Sequence, residues 1–157
     1  MVFRRWESKA ITRYLANKHN LASWYPADVK ERAICDIALD FYSSAFYPLI
    51  FQKIVSPKLG WAKLSSADTE AAEKSWNDDV WPALSHLLQR SGGPLLGGAK
   101  PSIADASFLG SLVMLFGKCA DSFAAKTPGL RAYFDALKAA LPKHAEYLAV
   151  AEGFWNQ

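Results

Sequence analysis

With 157 residues, 51% of them hydrophobic and 13% aromatic, the chain has the length of one domain with a real core, and its composition excludes disorder as the main state. The formal charge of +3, from 18 basic and 15 acidic residues, is too slight for a nucleic-acid footprint, which needs Lys and Arg gathered on one face. Arg4, Arg5, Lys9, Arg13 and Lys18 come nearest to such a cluster and read as a solvated helix face.

In chain order, residues 2–6 are the one stretch that fits a strand. Glu7 and Ser8 then stand where a helix starts. Ile11, Tyr14 and Leu15 follow at spacings of three and four, and Lys18 and His19 close the last turn favourably for the dipole. HNLASWYPAD reads as a connector, with Pro26 at the start of a second helix and Asp28 in its first turn. That helix is long. Ile34, Ile37, Ala38, Phe41, Ala45 and Leu49 form its apolar stripe, and Pro48 is expected to kink it.

SPKLGWAKLSSAD is a loop whose Ser65 or Ser66 caps a third helix, with Asp68 and Glu70 in the first turn. Trp76, Val80, Ala83, Leu84, Leu87 and Leu88 mark its apolar side, and Pro82 is a second expected kink. Two long helices joined by a moderate loop predict an antiparallel pair. Gly92 and Gly93 stop the third helix.

The next helix is apolar nearly all round from Ala106 to Phe116 and belongs at the centre of a bundle. Ser102 and Asp105, three apart at its start, predict a capping box: the hydroxyl accepts from the Asp105 amide and the carboxylate reaches back to the Ser102 amide. Their role is structural, because each unsatisfied amide at a buried helix start costs about 1–3 kcal/mol. Leu130, Phe134, Leu137 and Leu141 face one way on a further helix, Pro142 begins another, and Phe154 and Trp155 form an aromatic tail. The sum is an all-α helical bundle.

Several chemistries find no support. Cys35 and Cys119 lie inside apolar helical patterns and read as small buried hydrophobes. The opening lacks a signal-peptide layout, and no apolar run reaches the roughly 18 residues of a spanning helix, so a cytoplasmic chain without membrane attachment is expected. GGPLLGGAK fails as a phosphate loop, because Ala99 stands after Gly98 where Lys is needed. His19, His86 and His144 are isolated, which argues against a metal, and no nucleophile elbow accompanies them.

ESKAITRYL, WYPADVKERAICDIALDF and LLGGAKPSIADASFLGSL occur in an order and spacing that resembles the cytosolic glutathione transferase family, the middle segment being most similar to its theta-class branch. The resemblance implies a helical bundle of the C-terminal domain type over 20–157, with residues 1–19 as a remnant, the last strand edge and helix, of a thioredoxin-like domain. It implies glutathione as substrate, in a detoxifying transferase, with Glu7 and Ser8 holding the gamma-glutamyl end. Glu7 takes the amine; the Ser8 hydroxyl and the helix amides take the carboxylate, as an anion at a helix N-terminus favours.

Phe41, Tyr42, Ala45 and Phe46, with Trp155 folding over them, are the implied apolar pocket for the electrophile. The group that stabilises the thiolate belongs, in that family, to the thioredoxin-like part, so the isolated chain is expected to be inactive. Val2, Phe3, Trp6, Ile11, Tyr14 and Leu15 form an apolar face for a homodimer partner or a separate thioredoxin-like domain. The alternative is a non-catalytic helical protein-interaction module of the same fold.

Overall fold

The computed structural model describes residues 7–141, 143, 145–146 and 149–150. Among them the chain is helical and forms no strand; a single bridge pairs Leu95 with Gly98. Residues 2–6, Pro142, His144, Phe154 and Trp155 lie outside the described residues.

Helix α1 is Ser8–Lys18. Asn20 ends it in a left-handed conformation, φ 51°, and the Leu21 amide returns to the Ala16 carbonyl at 2.9 Å. Arg13 fastens it to the next helix: Nε meets Asp36 Oδ1 at 2.6 Å and Nη2 meets Asp40 Oδ1 at 2.8 Å. Burial lowers the Arg13 pKa, but the hydrogen bonds to Asp40 and Asp36 outweigh it and leave the guanidinium above its usual range. The Tyr25 hydroxyl also donates to Asp36, at 3.0 Å, tying the connector to the same carboxylate. Lys9 and Arg13 are therefore not members of a solvated face, as their sequence suggested.

Helix α2 runs from Val29 to Lys58. It starts later than Pro26 because Asp28 is extended, φ −61° and ψ 131°, and its carboxylate accepts the Lys30 and Glu31 amides, making it the cap rather than a first-turn residue. The helix widens into π turns at Tyr42–Phe46 and Leu49–Val55, on either side of Pro48. A proline removes one amide and crowds the carbonyl four residues back, and wider turns accommodate both effects. The expected disruption at Pro48 thus takes the form of a changed hydrogen-bond period.

The buried face of α2 comprises Cys35, Ala38, Leu39, Phe46, Leu49 and Ile50, while Ile37, expected on the apolar stripe, lies ahead of the π turns and is 52% exposed. By length and composition α2 is long and apolar enough to cross a membrane, contrary to the expectation that no stretch of the chain is. Its buried face is already used against the other helices.

Helix α3, residues 66–91, comprises Ser66–Ser75, a π turn at Trp76–Val80 ahead of Pro82, and Trp81–Ser91. Ser65 and Asp68 cap it reciprocally. Ala72, Trp76, Val80 and Leu84 are its buried residues. Helix α4 is Ile103–Lys118 and α5 is Pro128–Ala140. Pro128 occupies the first turn of α5, and the Trp76 indole donates to Thr127 Oγ1 at 3.0 Å, joining α3 to the start of α5. Cys35 and Cys119 are buried free thiols whose pKa values burial pushes up.

Helix α4 packs against α1, α2 and α5. Its start carries the fold's central polar group. Asp105 is fully buried, and its two oxygens accept from Leu96 N (2.8 Å), Gly97 N (3.0 Å), Ser102 N (2.8 Å), Ser102 Oγ (2.8 Å) and Tyr133 Oη (3.0 Å). Ser102 Oγ accepts in turn from the Asp105 amide at 3.4 Å. Burial, with the Asp105 charge, keeps the Tyr133 hydroxyl well above its usual pKa and so a donor. The loop needs glycine here: Gly98 has φ 82°, and a Cβ on Gly97 would collide with the Lys100 carbonyl.

Replacing Asp105 by Ala leaves buried amides and a hydroxyl without their acceptor, and stability should fall by roughly 3–5 kcal/mol, against about 1 kcal/mol for Ser102→Ala. Urea unfolding checks this, and a loss below 1 kcal/mol for Asp105→Ala contradicts it.

Candidate functional site

Glu7 precedes α1 with φ 70° and ψ 104°, a conformation that side chains rarely adopt. Its carboxylate makes no capping bond, although the Ile11 amide bonds the Glu7 carbonyl at 3.0 Å. Glu7 and Ser8 are both exposed. The α1 N-terminus thus presents an acid and a hydroxyl to solvent beside the positive end of the helix dipole.

The next residue turns inward. Lys9 is half-buried with its Nζ 3.9 Å from the centroid of the Tyr42 ring, and burial, then Arg13, lowers its pKa. Tyr42 shares a 2.9 Å hydrogen bond with Ser111 of α4 and meets Phe108 edge-on at 5.0 Å. Rings continue outward from it: Tyr42 to Tyr47 at 5.8 Å, Tyr47 stacked on Phe51 at 5.2 Å, and Phe51 to Trp61 at 6.2 Å, where Trp61 is 60% exposed.

The residues assigned to an apolar pocket separate. Tyr42 and Phe41 are half-buried, and Lys9 links Tyr42 to the end of α1 that carries Glu7 and Ser8. Phe46 is fully buried between Phe108 (4.7 Å) and Trp76 (6.2 Å), a core residue without surface for a ligand. Ala45 lines a different concavity, of about 440 Å³, between α2 and α3 with Pro48, Ala72 and Val80. Trp155 lies outside the described residues.

Two contributors were not evident in the sequence. Lys9 looked like one more surface cation, although its place directly after an acid-serine pair was a signal. Ser111, in a mostly apolar helix, marked a polar contact, but no local pattern named Tyr42 as its partner, 69 residues away.

Residues 60–150 match the sequence model of the family described as "Glutathione S-transferase, C-terminal domain", and the chain belongs to that family. It is 31% identical over 116 residues to a protein named "Glutathione S-transferase T2" from Arabidopsis thaliana, a match covering 70% of this chain and 20% of that protein. The chain therefore spans about a fifth of the length of this curated relative.

Tyr42→Phe removes the partner of the buried Ser111 hydroxyl and should lower stability by about 1 kcal/mol. The urea midpoint should fall with an unchanged m-value; an unchanged midpoint would show that the Tyr42–Ser111 bond contributes nothing.

Proposed function

We propose that the chain is the helical part of a theta-like glutathione transferase, cytoplasmic, in which 20–157 form the helical domain and 1–19 the end of a thioredoxin-like domain. Glutathione is the thiol substrate and an apolar electrophile its partner. The Glu7 carboxylate holds the gamma-glutamyl amine, while the Ser8 hydroxyl and the first amides of α1 hold the carboxylate. Phe41 and Tyr42, with Trp155 from the tail, supply the apolar wall.

The observation that carries this reading is the Glu7 backbone. A left-handed φ of 70° at a non-glycine residue costs about 1–3 kcal/mol. Such a cost is concentrated where a side chain must be aimed, and here it falls on the residue that the family resemblance assigns to the amine. The Glu7 side chain gains no capping bond in return.

The binding half of the chemistry lies in this chain; the activating half requires another group. A thiol with an unperturbed pKa of about 8.5 is mostly protonated at neutral pH, and it needs a donor to the thiolate before it attacks. Neither Glu7 nor Ser8 can serve while each is engaged with the far end of the tripeptide. The half-exposed apolar side of α1, with Leu15 44% exposed, is the face for a thioredoxin-like domain or a second copy.

One observation favours the non-catalytic interaction module. Phe46 is in the core and Ala45 opens elsewhere, so less of the expected electrophile wall is assembled than the resemblance implies.

Titration calorimetry with glutathione, on the chain alone and with a theta-class thioredoxin-like domain supplied in trans, separates the two. The transferase reading expects binding that weakens about tenfold or more in Glu7→Ala and in Ser8→Ala, as for loss of charge-assisted hydrogen bonds, and turnover of a chromogenic electrophile only with the added domain. Absence of binding in both formats, or binding indifferent to both substitutions, favours the interaction module.

A further inference from the structure

A second concavity shares no residue with the site at α1. It lies between the C-terminal end of α2, the loop 59–65, the start of α3 and the loop after α4, and encloses about 740 Å³, within the range of small-molecule pockets. Lys53, Lys58, Lys63 and Lys126 line it together with Glu73 and Asp121. Lys58 bonds both oxygens of Asp121, at 3.2 and 3.0 Å, and with Lys126 nearby this holds the carboxyl below its usual range.

Among the described residues, Lys53, Lys63 and Lys126 form no direct salt bridge, although Lys53 lies near Asp68 and Lys126 near Asp121. Like charges gathered in one concavity repel unless an anion is present. The floor between them is apolar, formed by Ile54, Leu64 and Phe123.

We propose that this concavity binds a phosphate monoester carried on an apolar or aromatic body. Four lysines and two carboxylates line it, and although Asp68 lies near Lys53 just outside, the local balance stays positive and attracts a phosphate, nearly doubly charged at neutral pH, more strongly than a monoanion. Lysine binds phosphate as a mobile point charge without needing a planar fork, so the ammonium groups can converge on it from several elements. The apolar floor distinguishes an organic ester from the free ion, because Ile54, Leu64 and Phe123 gain only from a body that covers them.

Phenyl phosphate is the probe, titrated into the isotope-labelled full chain and followed by amide chemical shifts, with benzoate and inorganic phosphate compared. Saturable shifts at Leu64, Ser122 and Phe123 are expected, with phenyl phosphate at least tenfold tighter than either competitor. Lys63 and Lys126 are exposed, and the double variant Lys63→Glu/Lys126→Glu should weaken binding at least tenfold, whereas Lys30→Glu, in the first turn of α2, should leave it unchanged. The single variants Lys63→Ala and Lys126→Ala, each expected to weaken binding threefold or more, serve if the double charge reversal unfolds the chain.

The proposal is overturned by absence of saturation, by shifts confined to other residues, or by affinity that ignores the lysine substitutions. Equal affinity for inorganic phosphate, meaning an adventitious ion only, overturns it too.

Discussion

Among the described residues Asp105 is the one carboxylate fully withdrawn from solvent, and the arrangement of the other helices follows from how its charge is satisfied. An isolated carboxylate at that depth would be prohibitively costly. Donors from the loop, from Ser102 and from Tyr133 of α5 surround it instead, so the group that would oppose folding joins the loop and α5 to the start of α4. One residue into that helix, the Ile103 amide donates to the Trp24 carbonyl at 2.9 Å and brings the connector between α1 and α2 to the same point.

From that start the rest is positioned in sequence. Phe108, one turn along α4, meets Phe46 and Tyr42, and Ser111 holds the Tyr42 hydroxyl. Tyr42 in turn lies under the Lys9 ammonium, and Arg13 binds the carboxylates of Asp36 and Asp40. The end of α1 that carries Glu7 and Ser8 is thus oriented by contacts leading back to α4. The match to the family model begins at residue 60, after these two residues. Family membership and the glutathione assignment accordingly rest on different parts of the chain, the second on the Glu7–Ser8 motif and on the backbone of Glu7.

Local chemistry made much of this legible. Helical character, the all-helical class, a serine cap at position 65 or 66 and the spacing of Ser102 and Asp105 each follow from rules that act within one turn. Contacts made across the fold were less accessible: Tyr133 lies 28 residues from Asp105, and no pattern in its own helix announces the pairing. The π turns of α2 were hidden for another reason. A period of 3.6 residues per turn does not anticipate wider turns, which here flank Pro48. Ile37 lies ahead of them on the outer side of the regular helix, and Phe46, which the family resemblance implied for the pocket, is packed in the core between Phe108 and Trp76. Lys9 and Arg13 were misread because long cationic side chains take their role from partners on another helix.

Amide hydrogen exchange at Leu96, Gly97 and Ser102, whose N–H groups point at Asp105, tests the central claim most directly. If the carboxylate anchors the fold, these amides exchange only through global opening, with the denaturant dependence of complete unfolding. Exchange through local opening, while the middle of α4 stays protected, would show that the loop and its buried acid are an attachment to the bundle and not what holds it together.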